Sequence, residues 1–272
     1  MPYAGRAQSF SRAVVTRTLL RAAVVAVVLV VLAGVGYGII HARSGGGGTS
    51  QPTASPSSTT TAVAATPKPA PRWQVAKAVG PVVAYKAPST SSPVRQRFGR
   101  TNANNFPSVF LVRSVRQVGG VTWYNVWLPI RPNESRGWIK EGSVAIYTTS
   151  AKIVINLAER RLIVYRRGQL LGEFKVAVGS PALPTPTGIY YINQKLRPTA
   201  SGGPYGVLAL GISAYQPKLA NWPQGGPVAI HGTNQDALIG QAISHGCVRM
   251  HDADVLKVNA WVPTGSPVVI VN

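Results

Sequence analysis

The sequence has few acidic residues and only one cysteine. Among 272 residues, 7 are Asp or Glu and 28 are Lys or Arg, so the formal net charge is +21. One cysteine excludes an intramolecular disulfide and a four-cysteine zinc module, and so few carboxylates argue against a protein that binds metal ions through acidic clusters. Charged residues make up 13% of the chain and hydrophobic residues 45%. This apolar fraction is sufficient for a folded core.

A long uncharged run lies near the N-terminus. Ala22 to Ile40 contains 19 residues without a charge, and a helix of about 20 apolar residues spans the hydrocarbon core of a bilayer. Arginines are concentrated before the run, which places the N-terminus in the cytoplasm by the positive-inside rule. We therefore expect a cytoplasmic basic tail over 1–21, a single transmembrane helix over 22–40, and the rest of the chain outside the membrane. The alternative is a cleaved signal peptide, whose apolar region usually has about 7–15 residues.

Two segments of different character follow the apolar run. Residues 41–72 are rich in Gly, Ser, Thr and Pro, a composition that favours a flexible linker. Residues 73–148 contain short β-branched and aromatic runs separated by turn residues, with a hairpin predicted at Gly119-Gly120. Through Gly137–Ile139 this segment resembles the small Src-homology-3-like β-barrels of bacterial wall proteins. It is interpreted either as a spacer whose tryptophans are core or as a module that binds wall glycan or peptide.

Residues 151–272 predict a mainly β domain with one or two short helices. Alternating apolar runs predict an opening hairpin and several later strands, and His251–Val262 predicts a helix capped by Asp252. Gln194 to Gly206 is long and rich in Gly and Pro, as expected of a loop that folds over a cleft.

The single cysteine lies close to two histidines. His245 and Cys247 are two positions apart, so both side chains point to the same side if the segment is extended, and Arg249 follows on that side. A thiol needs a neighbouring imidazole to become a good nucleophile at neutral pH, and His231 or His245 could serve. The pattern therefore favours acyl transfer. A cysteine that merely fills the core and a zinc site of two histidines and one cysteine are the alternatives.

Several separated motifs resemble one enzyme family. Ser244–Met250 (SHGCVRM), preceded by His231-Gly232, looks like the signature of the L,D-transpeptidases of bacterial peptidoglycan. Val178–Ser180 and Pro184–Tyr190 resemble that family's strand-entry motif, and the resemblance covers nearly all of 151–272. It implies a β-sandwich-like catalytic domain, and the anchor, linker and small β-domain upstream fit the family's usual layout.

The resemblance also implies catalytic roles. Cys247 would be the nucleophile and His231 the general base, with the backbone carbonyl of Gly232 orienting the imidazole. His245 would help to position the thiolate. Backbone N–H groups of His245, Gly246 and Cys247 would form the oxyanion hole.

The substrate implied is a peptidoglycan stem peptide. Arg249 would bind one of its carboxylates, and Ser244 and Tyr205 would also contact it. The enzyme would release D-alanine from a donor tetrapeptide and transfer the acyl group to an amine on a second stem peptide or a lipoprotein, whereas transfer to water would make it a carboxypeptidase. The resemblance implies no cofactor and no metal, and it implies inhibition by carbapenem-type β-lactams.

Two classes other than a transpeptidase stay open on the residues alone. A zinc hydrolase would use His231, His245 and Cys247. A non-catalytic wall-binding protein would use the basic charge to hold a polyanionic surface. We do not expect nucleic-acid binding, because the predicted topology places the basic domains outside the cell and no Lys/Arg run with interleaved aromatic residues is present.

Overall fold

The computed structural model describes residues 70–199, 202–222 and 225–272. The predicted basic tail 1–21, the predicted transmembrane helix 22–40 and all but the last three residues of the predicted linker 41–72 lie outside the described residues. Within the described ranges, no helix is both long enough and apolar enough to cross a bilayer.

The first seven strands form one antiparallel sheet. Its order is β3-β2-β6-β5-β4-β1-β7. Gly119 and Gly120 join β4 to β5 with φ angles of 57° and 76°, a left-handed pair that suits a two-residue hairpin, so the predicted hairpin is confirmed. The Src-homology-3-like barrel stays a prediction. The strands are β1 (Trp73–Ala78), β2 (Val82–Tyr85), β3 (Val94–Phe98), β4 (Val109–Val118), β5 (Val121–Trp127), β6 (Arg136–Lys140) and β7 (Val144–Thr149).

The second half of the chain contains an eight-stranded sheet of order β10-β9-β8-β17-β12-β13-β14-β16 and a separate pair, β11-β15. Three pairs are parallel: β8 with β17, β14 with β16, and β11 with β15. The strands are β8 (Ala151–Asn156), β9 (Arg161–Arg166), β10 (Gln169–Lys175), β11 (Val178–Gly179), β12 (Gly188–Leu196), β13 (Ala209–Tyr215), β14 (Pro227–His231), β15 (Ala242–Ser244), β16 (Val248–Arg249) and β17 (Pro267–Val271).

A single α-helix, α1 (Asp252–Trp261), lies between β16 and β17, and a short 3-10 turn covers Asp236–Leu238. Val255 and Val258 of α1 are fully buried in the core of the eight-stranded sheet. In β8, buried and half-buried residues alternate. In contrast, β13 is buried along nearly its whole length because it lies between β12 and β14 and is covered on both faces of the sheet. The mainly β prediction for this half is therefore confirmed.

The two sheets pack directly against each other. Tyr191 of β12 is fully buried and shares a hydrophobic cluster with Val75 and Leu111 of the first sheet. Asn133 holds the backbone of Tyr215 from both sides: its Nδ2 donates to the carbonyl at 2.7 Å, and its Oδ1 accepts from the N–H at 2.9 Å. The first sheet is thus a fixed neighbour of the second.

Two local predictions were wrong. β12 continues to Leu196, so the loop expected from Gln194 begins later, because antiparallel pairing with β13 extends the strand through Gln194 to Leu196. His251 occupies the N-cap of α1, and no side chain caps the helix. Asp252 is instead the first helical residue, and its carboxylate is used elsewhere.

Candidate active site

His231 is the last residue of β14 and is 2% exposed. Its Nδ1 lies 2.5 Å from the carbonyl oxygen of Gly232. A carbonyl can only accept a hydrogen bond, so Nδ1 carries the proton, and Nε2 of the neutral imidazole has a free lone pair. The sequence motif His-Gly therefore produces a histidine whose tautomer is set by its own neighbour.

The strand register places Cys247 beside the strand that carries this histidine. His231 pairs with Arg249, and Ile230 pairs with Val248, in the parallel ladder of β14 and β16. Neighbouring strands lie about 4.8 Å apart, and residues two apart share a face. Cys247 directly precedes β16, and the backbone of Ala229 hydrogen-bonds to its thiol. The cysteine is half-buried and lines a cavity.

The environment favours neutral forms of both groups. Burial raises the pKa of the Cys247 thiol, whereas the Ala229 hydrogen bond and the positive charge of Arg249 oppose that rise. Burial also lowers the pKa of His231 to about 4; Arg249 lowers it further, and the Gly232 carbonyl and Asp252 raise it. At neutral pH Cys247 is therefore a thiol and His231 an uncharged imidazole, the two protonation states from which general-base catalysis starts.

Ser244 organises the turn that carries the cysteine. Its hydroxyl accepts a hydrogen bond from the Gly246 N–H at 3.0 Å and donates one to the Cys247 carbonyl at 2.6 Å. Gly246 has a φ of 117°, and a Cβ there would lie 3.0 Å from Nε2 of Gln216, so glycine is required. The chain bends at His245 and Gly246, so the segment from His245 to Arg249 is not extended throughout, and the same-side arrangement that depended on an extended segment does not follow.

Two more of the predicted side chains, those of His245 and Tyr205, contact other aromatic rings. His245 is exposed, and its ring stacks with Trp222 at a centroid distance of 6.0 Å. The ring of Tyr205 meets the ring of His231 edge-on at 4.9 Å, although Tyr205 is 49% exposed. Tyr205 thus covers one side of the imidazole and keeps it from bulk water.

Arg249 is half-buried beside both reactive groups. One terminal nitrogen donates to Oε1 of Gln235 at 2.9 Å. Its Nε is buried and has no hydrogen-bond partner among the described residues. A buried donor without a partner is unusual in proteins, and the positive charge of this side chain acts on both Cys247 and His231. The guanidinium therefore has unused capacity for an anionic group at the site.

Asp252 was missed as a site residue. Its Oδ1 accepts a hydrogen bond from the Val207 N–H at 3.2 Å, and a Cβ on Gly206 or Gly232 would collide with that same oxygen. The carboxylate thus fills the space that two glycines leave open, beneath the carbonyl that holds His231. Helix α1 positions it, and no sequence signal distinguished it from an ordinary residue of a first helical turn.

The first sheet also supports the turn that carries the cysteine, and the sequence did not predict this support. Arg131 donates to the carbonyl oxygens of Gln216 at 2.7 Å and Gly225 at 2.5 Å. Gln216 is 1% exposed, and its side chain donates to the Pro184 carbonyl at 2.6 Å. Because Gln216 packs against Gly246, the first sheet reaches the cysteine turn through one buried side chain.

Comparison with known proteins shows the family of the second half of the chain. The YkuD family of L,D-transpeptidase catalytic domains matches residues 150–270. YkuD of Bacillus subtilis (strain 168), provisionally named an L,D-transpeptidase, is 34% identical over 125 residues, which are 46% of this chain and 68% of that protein. This chain belongs to the YkuD family of L,D-transpeptidases.

Two further proteins are similar to parts of this chain. YkuD of Bacillus licheniformis, also provisionally named, is 36% identical over 124 residues, or 45% of this chain and 67% of that protein. A crystal structure of an L,D-transpeptidase from Mycobacterium tuberculosis H37Rv is 17% identical with a TM-score of 0.41, and it covers 61% of this chain and 90% of its own.

The described residues contain no set of ligands for the zinc site considered from the sequence. Among residues 70–199, 202–222 and 225–272, no three His, Cys, Asp or Glu side chains converge in a way that could hold a metal ion. His231, His245 and Cys247, the three ligands considered from the sequence, therefore do not form such a group.

We expect the folding stability of the chain to fall as pH is lowered from 6.5 to about 4. In this window the unfolded state protonates His231 and the folded state does not, so the unfolded state binds more protons and the free energy of unfolding rises with pH. The contribution is at most about 3 kcal/mol. Urea unfolding at several pH values measures it. His231→Gln should show a smaller decline, and exposed His251→Gln should decline like the wild type; equal slopes for wild type and His231→Gln would contradict the prediction.

Proposed function

We propose that this chain is a peptidoglycan L,D-transpeptidase in which Cys247 is the nucleophile and His231 the general base. One observation carries the proposal. A buried imidazole with its Nδ1 held by Gly232 lies on the strand paired with the strand that follows the cysteine, and the cysteine lines a cavity. Membership of the L,D-transpeptidase family supports the same reaction.

In acylation, the thiol proton passes through His231 to the leaving amine, and a C–S bond replaces a C–N bond. The sulfur of Cys247 attacks the carbonyl carbon of the third residue of a donor stem tetrapeptide while its proton moves to Nε2 of His231. A C–S bond forms, and the carbonyl oxygen takes the negative charge. When the tetrahedral intermediate collapses, the C–N bond breaks and His231 returns the proton to the amine of the departing D-alanine.

The oxyanion would be held by backbone N–H groups of the cysteine turn. The N–H of Gly246 already donates to Ser244, so we assign the hole to the N–H groups of His245 and Cys247. Gly246 would have a conformational role, because its φ of 117° sets the direction of the peptide bonds on either side of it. Donors held in place before the reaction need no reorganisation when the charge develops.

The remaining predicted residues would act on the substrate. The buried, unpartnered Nε of Arg249 supports a bond to a carboxylate of the stem peptide. Tyr205 covers His231 and would flank the bound peptide. The Ser244 hydroxyl already donates one hydrogen bond and accepts another within the turn. Its role would therefore be to hold the cysteine and not to contact the substrate.

Deacylation would decide the product. An amine of a second stem peptide attacks the thioester, forms a new amide and frees the thiol, which crosslinks the wall. Water in place of the amine yields a trimmed tripeptide, the carboxypeptidase reaction. We further propose that residues 22–40 anchor the enzyme in the membrane with residues 73–272 on the wall side, and that β-lactams of the carbapenem type acylate Cys247.

The test is direct. The purified chain is incubated with a stem tetrapeptide, and intact-protein mass spectrometry follows the enzyme while chromatography follows the peptides. We expect a tripeptide adduct on the enzyme, free D-alanine and a crosslinked dimer. Free tripeptide without dimer would assign the carboxypeptidase reaction instead. No adduct and no D-alanine would leave a wall-binding protein without catalysis.

A further inference from the structure

A cavity of about 690 Å³ lies where the two sheets meet, and it extends to Cys247. The wall on one side comes from β12, β13 and β14 of the second sheet. The opposite wall comes from the end of β3 and the segment between β3 and β4 in the first sheet. Cavities of this size hold whole ligands. This cavity is therefore larger than the space that a single reacting bond needs.

The charge of the lining is one-sided. Arg97 at the end of β3 and Arg197 just after β12 both line the cavity, and no Asp or Glu is among the described lining residues. All seven acidic residues of the chain lie in the described ranges. Neither Arg97 nor Arg197 takes part in the ion pairs formed among the described residues. Both guanidinium groups are exposed and are available to an external anion.

The first-sheet wall is held against the second sheet by amides. The Nδ2 atoms of Asn102 and Asn104 donate to Oε1 of Gln194 in β12 at 2.8 and 3.1 Å. All three residues line the cavity. These bonds fix the loop that follows Arg97, and they place amide groups, which suit the backbone of a peptide, in the lining of the cavity.

We propose that this junction cavity binds the part of a peptide substrate that continues beyond the reacting bond, with Arg97 and Arg197 receiving its carboxylates. The first sheet is then half of the substrate site and not a spacer. This inference rests on the proposed function. A peptide carboxylate is favoured over another anion because the ligand must be continuous with the acyl group on Cys247, and because guanidinium groups match carboxylates with two parallel hydrogen bonds.

The experiment measures kcat and KM for D-alanine release from a stem tetrapeptide and from the same peptide with its side-chain carboxylates amidated. The full chain is compared with Arg97→Gln, Arg197→Gln and the double variant. Arg116→Gln in the first sheet and Arg166→Gln in the second are matched controls, because both remove an exposed arginine that does not line the cavity. Thermal unfolding verifies that every variant is folded.

We expect each cavity substitution to raise KM for the carboxylated peptide about tenfold, the effect of losing one charge-assisted hydrogen bond, and the controls to match the wild type. The wild type should prefer the carboxylated peptide, and the double variant should lose that preference. Equal KM values for the two peptides with the wild type, or equal losses in the control variants, would overturn the inference. Absence of any reaction with the wild type would instead reject the proposed function.

Discussion

Replacement of Cys247 with alanine should abolish the acyl-enzyme formed with a stem tetrapeptide or a carbapenem. The chain has one cysteine, so no second thiol can take its place, and the turn held by Ser244 would remain with nothing to attack the carbonyl. Removing the nucleophile of a comparable triad lowers the rate by at least about 10⁴-fold. Intact-protein mass spectrometry after incubation with each compound gives the result directly.

A second substitution separates chemistry from folding. Cys247→Ser keeps the size of the side chain and the backbone turn, so it should bind the peptide and unfold like the wild type while acylating far more slowly. The single thiol also makes alkylation a specific probe, since only Cys247 can be labelled. A peptide adduct of normal yield on Cys247→Ala would remove this residue as the nucleophile.

His231→Gln should lower the acylation rate about 10²–10⁴-fold, the usual contribution of a general base. The pH profile makes the test sharper. Because burial lowers the pKa of His231 to about 4, the wild-type rate should rise with pH through that value and then stay level near neutrality. Because burial raises the pKa of Cys247, the variant should recover activity only at alkaline pH, as the thiolate forms without a base.

His251→Gln is the matched control for this profile. His251 is exposed, pairs with Asp236 at 2.8 Å and lies two residues beyond Arg249, so its removal should leave the rate and the acid limb unchanged. A wild-type acid limb near 6.5, the ordinary histidine pKa, would show that the base is a solvent-exposed group. Unaltered activity of His231→Gln would exclude His231 as the base.

Much of the fold could be predicted because the signals are local. Alternation of apolar residues along β8 and β9 predicts strands, and Gly119-Gly120 predicts a hairpin because both residues need positive φ. The stop of α1 before Pro263 follows from neighbouring residues as well. Such signals depend on residues close together in the chain, which the sequence displays directly.

The errors and omissions arise where distant segments meet. Asp252 is an unremarkable first-turn residue in sequence, and only packing places its carboxylate beneath Gly206 and Gly232. Gln216 supports the cysteine turn from another loop, and Arg131 supports Gln216 from the other sheet. The sequence left open whether the segment around His245 is extended, and the structure bends it because the Ser244 hydroxyl accepts a hydrogen bond from the Gly246 N–H.

The sequence by itself determined the strand-rich class, the reactive residue types and the family, because local periodicity and contiguous motifs can be identified without coordinates. The tertiary structure alone decided that β14 and β16 pair in parallel, that His231 is buried and uncharged at neutral pH, and that the first sheet forms one wall of the cavity at Cys247. Burial and register arise from contacts between segments far apart in the chain, and a local pattern does not encode which segments will meet.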